Sequence, residues 1–368
     1  MREIVIIGGG LAGLISSILL KRAGWDVLLI ERKSYPFHRV CGEYISLEVH
    51  PFLDREGLLP PIDYPIISKF ALSSTSGKIS NSPLDLGGFG ISRYTLDHHL
   101  FKLAQNEGVE FMQSKVMDCQ FLKDHFKLKT EIEELETKFV IGAFGKRSNL
   151  DQVMNRPFFT KRSPYIGVKY HATTPHPVDL IALHNFPGGY CGVSQVENGI
   201  SNICYLGKRE DLRKYGNIAE MELEILHQNP LLRELWNSST FLWEKPEVIN
   251  EISFEVKKPV ENHIFMCGDA AGMITPLCGN GMAMAIHSAK ILSEELILSK
   301  HQNGSRSDLE HAYSRRWNNE FRNRLWFGRQ VQKLFGKPKL SNMTVNLINN
   351  VKPLSKAIIK GTHGKVIN

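Results

Sequence analysis

Residues 3–13 read Glu3-Ile4-Val5-Ile6-Ile7-Gly8-Gly9-Gly10-Leu11-Ala12-Gly13. Five residues dominated by β-branched side chains predict a buried parallel strand. The glycines follow at once in G-x-G-x-x-G spacing. Leu11, Leu14, Ile15, Ile18 and Leu19 then recur at helical intervals until Gly24 stops the helix. Val27-Leu28-Leu29-Ile30 gives a second strand, with Glu31 at its end. Each part has a physical task. Gly8 permits the tight turn, Gly10 lets a pyrophosphate approach the backbone, and Gly13 lets helix and strand pack closely. The helix N–H groups from Leu11 and Ala12 onward favour a diphosphate, and Glu31 accepts from ribose hydroxyls, with Arg32 beside it as a further candidate. The motif alone does not separate NAD from FAD. Residues 4–20 carry no charge, as a signal-peptide core would, but the glycines and Ser16-Ser17 interrupt them and fit strand, turn and helix instead.

Working outward, the 368 residues hold 42% hydrophobic and 23% charged side chains, ordinary for a globular protein with a substantial core. The formal charge of +7 invites a nucleic-acid reading. It belongs wholly to the last part of the chain: residues 333–368 contain seven lysines and no Asp, Glu or Arg. The rest is neutral and offers no basic, aromatic face, so no nucleic-acid partner is expected. Six cysteines without a CxxC pair exclude a disulfide scaffold and a zinc site, and point to a reducing, cytoplasmic setting. The histidines form no HExxH pattern and no G-x-S-x-G elbow is present, so no metal is expected.

A second motif lies far along the chain. Ile264-Phe265-Met266-Cys267 predicts a strand, followed by Gly268-Asp269-Ala270-Ala271-Gly272 and by Gly279-Asn280-Gly281-Met282 at the start of a long apolar-striped helix. Paired with the first motif, this arrangement closely resembles the flavoprotein monooxygenase superfamily, which includes aromatic hydroxylases, flavin-dependent halogenases and geranylgeranyl reductases. The resemblance spans roughly residues 1–332. It implies FAD, with Gly268 and Asp269 at the ribitol and Gly279, Gly281 and Met282 facing the pyrimidine edge of the flavin, where a helix N-terminus suits the charge of the reduced ring.

Further segments extend the resemblance. Arg39-Val40-Cys41-Gly42-Glu43 resembles the R-x-C-G-E segment of geranylgeranyl reductase-like members. It implies Arg39 on the diphosphate, and Cys41 and Glu43 as catalytic candidates near the flavin. Arg93, opening a helix before Leu96-Asp97, becomes a cofactor candidate, with a helix-start salt bridge as its plainer role. Val116 is implied as a main-chain contact to the adenine. One position departs from the pattern: Phe144 replaces the Asp of the family's Ala-Asp-Gly, which puts the mode of NAD(P)H use in question. Lys146 and Arg147 beside it read as solvated, with attraction of a phosphate as the alternative. Phe186-Pro187-Gly188-Gly189-Tyr190 is similar in part to a substrate-side segment of the geranylgeranyl reductases. The W-x-W-x-I-P of the halogenases is absent.

The expected architecture is α/β: a Rossmann-like FAD-binding domain (1–59, 93–159 and 261–300) with an inserted, sheet-based substrate domain (60–92 and 160–260) and a C-terminal helical segment (301–368). Short β-like runs between 165 and 206 and turn signals at Gly188-Gly189 support the insertion. The expected function is an FAD-dependent oxidoreductase acting on a small lipophilic or aromatic molecule. The flavin is reduced by NAD(P)H, and the reaction leans to double-bond reduction. A hydroperoxide-forming monooxygenase and a non-catalytic electron-transfer flavoprotein are the alternatives. The lysine-rich end reads as a packed or solvated tail, or as a helix in peripheral contact with an anionic membrane.

Overall fold

A computed structural model gives the structure, and it describes residues 1–275, 279–333, 337–350, 361 and 363–368. Residues 276–278, Phe335 and the run 351–360, all touched by the sequence reading, lie outside the described residues.

Among the described residues the strands form two sheets. The first is built on Arg2–Ile7, which pairs in parallel with Val27–Glu31 on one side and Glu134–Gly142 on the other. Glu110–Gln113 extends it beyond Val27–Glu31, and Ile264–Met266 beyond Glu134–Gly142, both in parallel. Ile4, Val5 and Ile6 are wholly buried, as expected of a parallel strand covered on both faces. Helices Leu11–Arg22, Arg93–Asn106 and Gly281–Gln302 pack together, the first contacting both others. Leu14, Ile15, Ile18, Leu96, Leu100, Ile286 and Leu292 share one core with the sheet.

The second sheet runs in the order Thr240–Phe241, Tyr165–Thr173, Ser201–Lys208, Gly189–Gln195, Leu180–Phe186, Ile66–Ser73, Ile79–Gly90, Tyr44–Ser46. It is mostly antiparallel, with Leu180–Phe186 parallel to Ile66–Ser73. Tyr44–Ser46, which lies before the expected boundary at residue 60, joins its edge by pairing with Gly88–Gly90. Helices Ile218–Ile225 and Pro230–Ser238 cover its outer face, where Val168, Tyr170, Ile203 and Tyr205 meet Met221, Leu226 and Leu232. On the other face Leu183, Tyr190 and Leu206 meet Val331 and Val345 of the C-terminal segment.

The C-terminal segment is packed rather than loose in its described parts. Trp317, Phe321 and Leu325 of helix Arg306–Gln332 join the main core, while Trp326 is turned to solvent. In helix Pro338–Asn350, Val345 is fully buried among Leu72, Leu183, Tyr190, Leu206 and Ile252 of the second unit. Ile367, near the chain's end, packs against the main core.

Candidate active site

The glycine turn has the geometry its spacing requires. Gly8 adopts φ +106°, and a Cβ there would fall 2.5 Å from the Ala143 carbonyl oxygen. A Cβ on Gly13 would fall 1.9 Å from the Gly8 oxygen. These two glycines are therefore demanded by the fold itself. Gly10 differs: its nearest neighbour would be Arg93 Nη2 at 3.5 Å. The space before it is left open by the protein, as a bound diphosphate needs. Glu31, almost fully buried, accepts the N–H of Gly9 at 2.8 Å and that of Lys33 at 3.0 Å.

A cavity of about 980 Å³ begins at this turn, the upper end of the usual size for small-molecule sites. Its wall includes Gly8, Gly10, Leu11 and Ala12 of the turn and first helix, then Glu31, Arg32, Arg39 and Val116, then Gly268, Asp269, Gly279, Gly281 and Met282. Gly13 supports the turn from behind. The structure thus brings the two motifs, more than 250 residues apart, to one groove. Asp269 lines it, and among the described residues nothing donates a hydrogen bond to its carboxylate. Burial raises that carboxyl above its ordinary value, against the opposing pull of Lys257, Arg93 and Lys146. A cavity-facing carboxylate without a donor fits the hydroxyls of a ribitol chain. With the open face at Gly10, it makes the groove fit FAD.

The two arginines are tied to one carboxylate. Arg93 grips Asp97 through Nε and Nη2, both at 2.7 Å, and Arg39 Nε reaches the same Asp97 at 3.1 Å. Arg39 Nη2 also donates to the Gly9 carbonyl at 3.2 Å. The helix-start salt bridge is therefore present, and both side chains line the cavity as well. The Val116 carbonyl accepts from Asn149 Nδ2 at 2.9 Å.

Lys146 and Arg147 are not simply solvated. Lys146 Nζ donates to the Asn250 carbonyl, and burial lowers its pKa to about 8. Arg147 stacks on Phe159 and donates to the Phe159 carbonyl at 2.7 Å. Phe144 lines the cavity where the resemblance expects an Asp. Lys257, which sequence reading passed over, donates to the carbonyls of Lys146 and Asp269, both at 2.8 Å.

Cys41 and Glu43 also line the cavity, but they differ in character. Glu43 is completely buried, with φ +52°, and its carboxylate takes three bonds: from Lys169 Nζ at 2.5 Å, from His171 Nε2 at 2.6 Å and from the Arg93 N–H at 2.8 Å. Burial pushes its carboxyl up, but Lys169 and His171 outweigh that and hold it below the usual range. It is an ionised anchor at neutral pH. Burial raises the Cys41 thiol, with Arg93 opposing, so Cys41 keeps its proton. His38 lies edge-on to His171 and against Trp243 and Tyr94; burial, then Lys169, lowers its pKa to about 4, so it is neutral.

Sequence reading named neither Lys169 nor His171. One signal was there: in the strand Tyr165–Thr173 they sit two apart, on the face opposite Val168 and Tyr170. A Lys and a His on one face of a buried strand require a partner.

Beyond these residues the same cavity has an apolar stretch of wall from the second sheet, with Phe70, Leu72, Ile181, Leu183, Leu206 and Ile249 among its lining. Tyr190, from the segment similar to the geranylgeranyl reductases, lies there too. The C-terminal segment adds Val331, Thr344 and His363.

Comparison with known proteins gives the same picture. Residues 1–59 match the FAD binding domain family. Digeranylgeranylglycerophospholipid reductase 2 of Methanopyrus kandleri is 23% identical over 367 residues, covering 94% of this chain and 89% of its own length. A geranylgeranyl bacteriochlorophyll reductase-like protein of Thermoplasma acidophilum shares the fold with a TM-score of 0.76 at 17% identity, over 98% of this chain and 96% of that one. The flavin-dependent brominase Bmp2 does so with a TM-score of 0.78 at 16% identity, over 98% and 93%. Among the described residues no helix is long and apolar enough to cross a membrane. With two cofactor motifs meeting in one groove and these relatives, the chain is an FAD-dependent oxidoreductase that shares its fold with a geranylgeranyl bacteriochlorophyll reductase-like protein and a flavin-dependent brominase.

Proposed function

We propose that this oxidoreductase reduces carbon–carbon double bonds in a lipophilic, polyprenyl-bearing molecule, with NAD(P)H as the source of electrons. The observation that carries the reading is the apolar stretch of wall in the same cavity as the cofactor groove. A wall lined by Phe, Leu and Ile favours an aliphatic chain over a polar substrate. The names of the sequence relatives support the same class.

In this reading Gly8, Gly10, Leu11, Ala12, Gly13, Glu31, Arg32, Arg39, Arg93, Val116, Gly268, Asp269, Gly279, Gly281 and Met282 hold the dinucleotide. FAD, when bound, supplies hydride-transfer chemistry. The chain's own residues supply the rest. Cys41 presents a protonated thiol to the cavity and is the proton donor that saturating a double bond requires. Glu43, ionised by Lys169 and His171, keeps the loop 39–43 in place. The apolar part of the wall lowers the exposure of the reacting carbons to water. An electron-transfer flavoprotein without a substrate would need no such wall.

A lipid substrate also favours a lipid surface. Helix Pro338–Asn350 exposes Met343 and Leu347 near Lys337 and Lys339, in the lysine-rich segment free of acids. That combination supports peripheral contact with an anionic membrane.

The test is an anaerobic incubation of the reduced, FAD-loaded protein with polyprenyl lipids, read by mass spectrometry. Gain of two hydrogens per double bond is expected. An oxygenated product formed only in air would replace this reading by the monooxygenase one, which the fold shared with halogenating flavoenzymes keeps as the second candidate.

A further inference from the structure

Residues 363–367 return to the middle of the molecule, where Glu48 receives Gly364 and Ile367. Glu48, completely buried in the turn Leu47–Val49, accepts the Gly364 N–H through its carboxylate. Its main-chain carbonyl accepts the Ile367 N–H at 2.8 Å. The same carboxylate takes Arg324 Nη1 at 3.2 Å and lies 3.3–3.4 Å from Asn280 Nδ2. Asn280 stands between Gly279 and Gly281, at the N-terminus of the long helix, in the loop assigned above to the flavin. Ile367 is packed against the main core, and His363 forms part of the cavity wall. The chain's end, the buried carboxylate and the cofactor loop are therefore one hydrogen-bonded unit.

We infer that the C-terminal residues 363–367 are positioning residues of the flavin site: docked on Glu48, they brace the 279–282 loop and close the cavity beside it. The inference rests on the FAD reading and is independent of which substrate is reduced. It has a thermodynamic consequence. If docking of the chain's end strengthens FAD binding by some factor, FAD must strengthen docking by the same factor. The end of the chain becomes a reporter of the cofactor. The expected size follows from the bond to Glu48: removing one donor from a buried carboxylate weakens binding by about tenfold or more.

Two perturbations release the end without touching the cavity wall. A side chain at Gly364 would meet the Arg324 guanidinium, with Cβ 2.1 Å from Nη2, so Gly364→Val displaces Arg324 from Glu48. Ile367→Glu places a charge in the core contact. Lys365 is exposed, and Lys365→Ala serves as control. Flavin titration by fluorescence quenching on the apoprotein should show FAD held about tenfold less tightly by Gly364→Val and Ile367→Glu, and unchanged by Lys365→Ala. In the unaltered protein, tryptic cleavage after Lys365, read by mass as loss of residues 366–368, should slow by a similar factor when FAD is added. This second measurement needs no variant and so stands even if a variant folds poorly. A tail that merely stabilises the fold would be cleaved at the same rate with and without FAD, and that result overturns the inference. Unchanged FAD affinity in both variants does so too. If the unaltered protein binds no FAD at all, the cofactor reading fails first and takes the inference with it.

Discussion

Lys169→Met isolates the buried charge cluster behind the cavity. Lys169 and Glu43 are both fully buried and 2.5 Å apart. At an effective dielectric constant near 20, their attraction is about 7 kcal/mol, set against several kcal/mol of lost hydration per ion. Removing the lysine keeps the hydration cost of Glu43 and loses the attraction, so a loss of about 3–5 kcal/mol is expected at pH 8. The pH dependence fixes the cause. In the unaltered protein the Glu43 carboxyl is held below its ordinary value. Its stabilising contribution is therefore present above about pH 4.3 and is lost as the pH falls through the folded value. In the variant burial dominates and the folded value rises above the unfolded one. The penalty is then full at high pH and fades as protonation neutralises the buried acid. Urea unfolding midpoints at pH 8 and pH 5.5 measure the effect, and Lys169→Met combined with Glu43→Gln should recover much of the loss at pH 8. A loss equal at both pH values, or no recovery in the double variant, would refute the account of Glu43 as an ionised anchor.

Two glycines that look alike in sequence should part company. Gly10→Ala meets open space, so the apoprotein keeps its melting temperature while FAD affinity drops; Gly13→Ala collides with the Gly8 carbonyl and should cost about 1–3 kcal/mol of apoprotein stability. Asp269→Ala should weaken FAD retention in gel filtration, and equal retention would remove Asp269 from the ribitol. Cys41→Ser should keep FAD binding but cut turnover by about 10²–10⁴-fold, measured with polyprenyl lipid under anaerobic conditions; turnover within a factor of two would assign the proton to another group.

The first unit was legible because its signals are local. A β-branched strand, a glycine turn with fixed spacing and a capped helix each state their own conformation, and Glu31 follows from the length of the unit. The second motif was legible for the same reason. The strand Tyr44–Ser46 was not: three residues carry too little pattern to choose between two sheets, and its place depends on pairing with Gly88–Gly90. The Glu43 cluster was half legible. Glu43 stood in a recognisable segment, whereas Lys169 and His171 lie 126 and 128 residues away, and only the tertiary fold brings them to it.

The lysine-rich end shows the same division most plainly. The sequence by itself determined that residues 333–368 hold the whole net charge, because counting needs no geometry. It also determined that a dinucleotide groove exists, because a glycine turn dictates its own backbone. Only the tertiary structure decided that Asp97 holds both Arg39 and Arg93, that the groove shares its cavity with an apolar stretch of wall, and that the chain's end returns to Glu48 beside the cofactor loop. Those arrangements depend on contacts between segments tens to hundreds of residues apart, and such contacts form when buried polar groups find partners that no local pattern specifies.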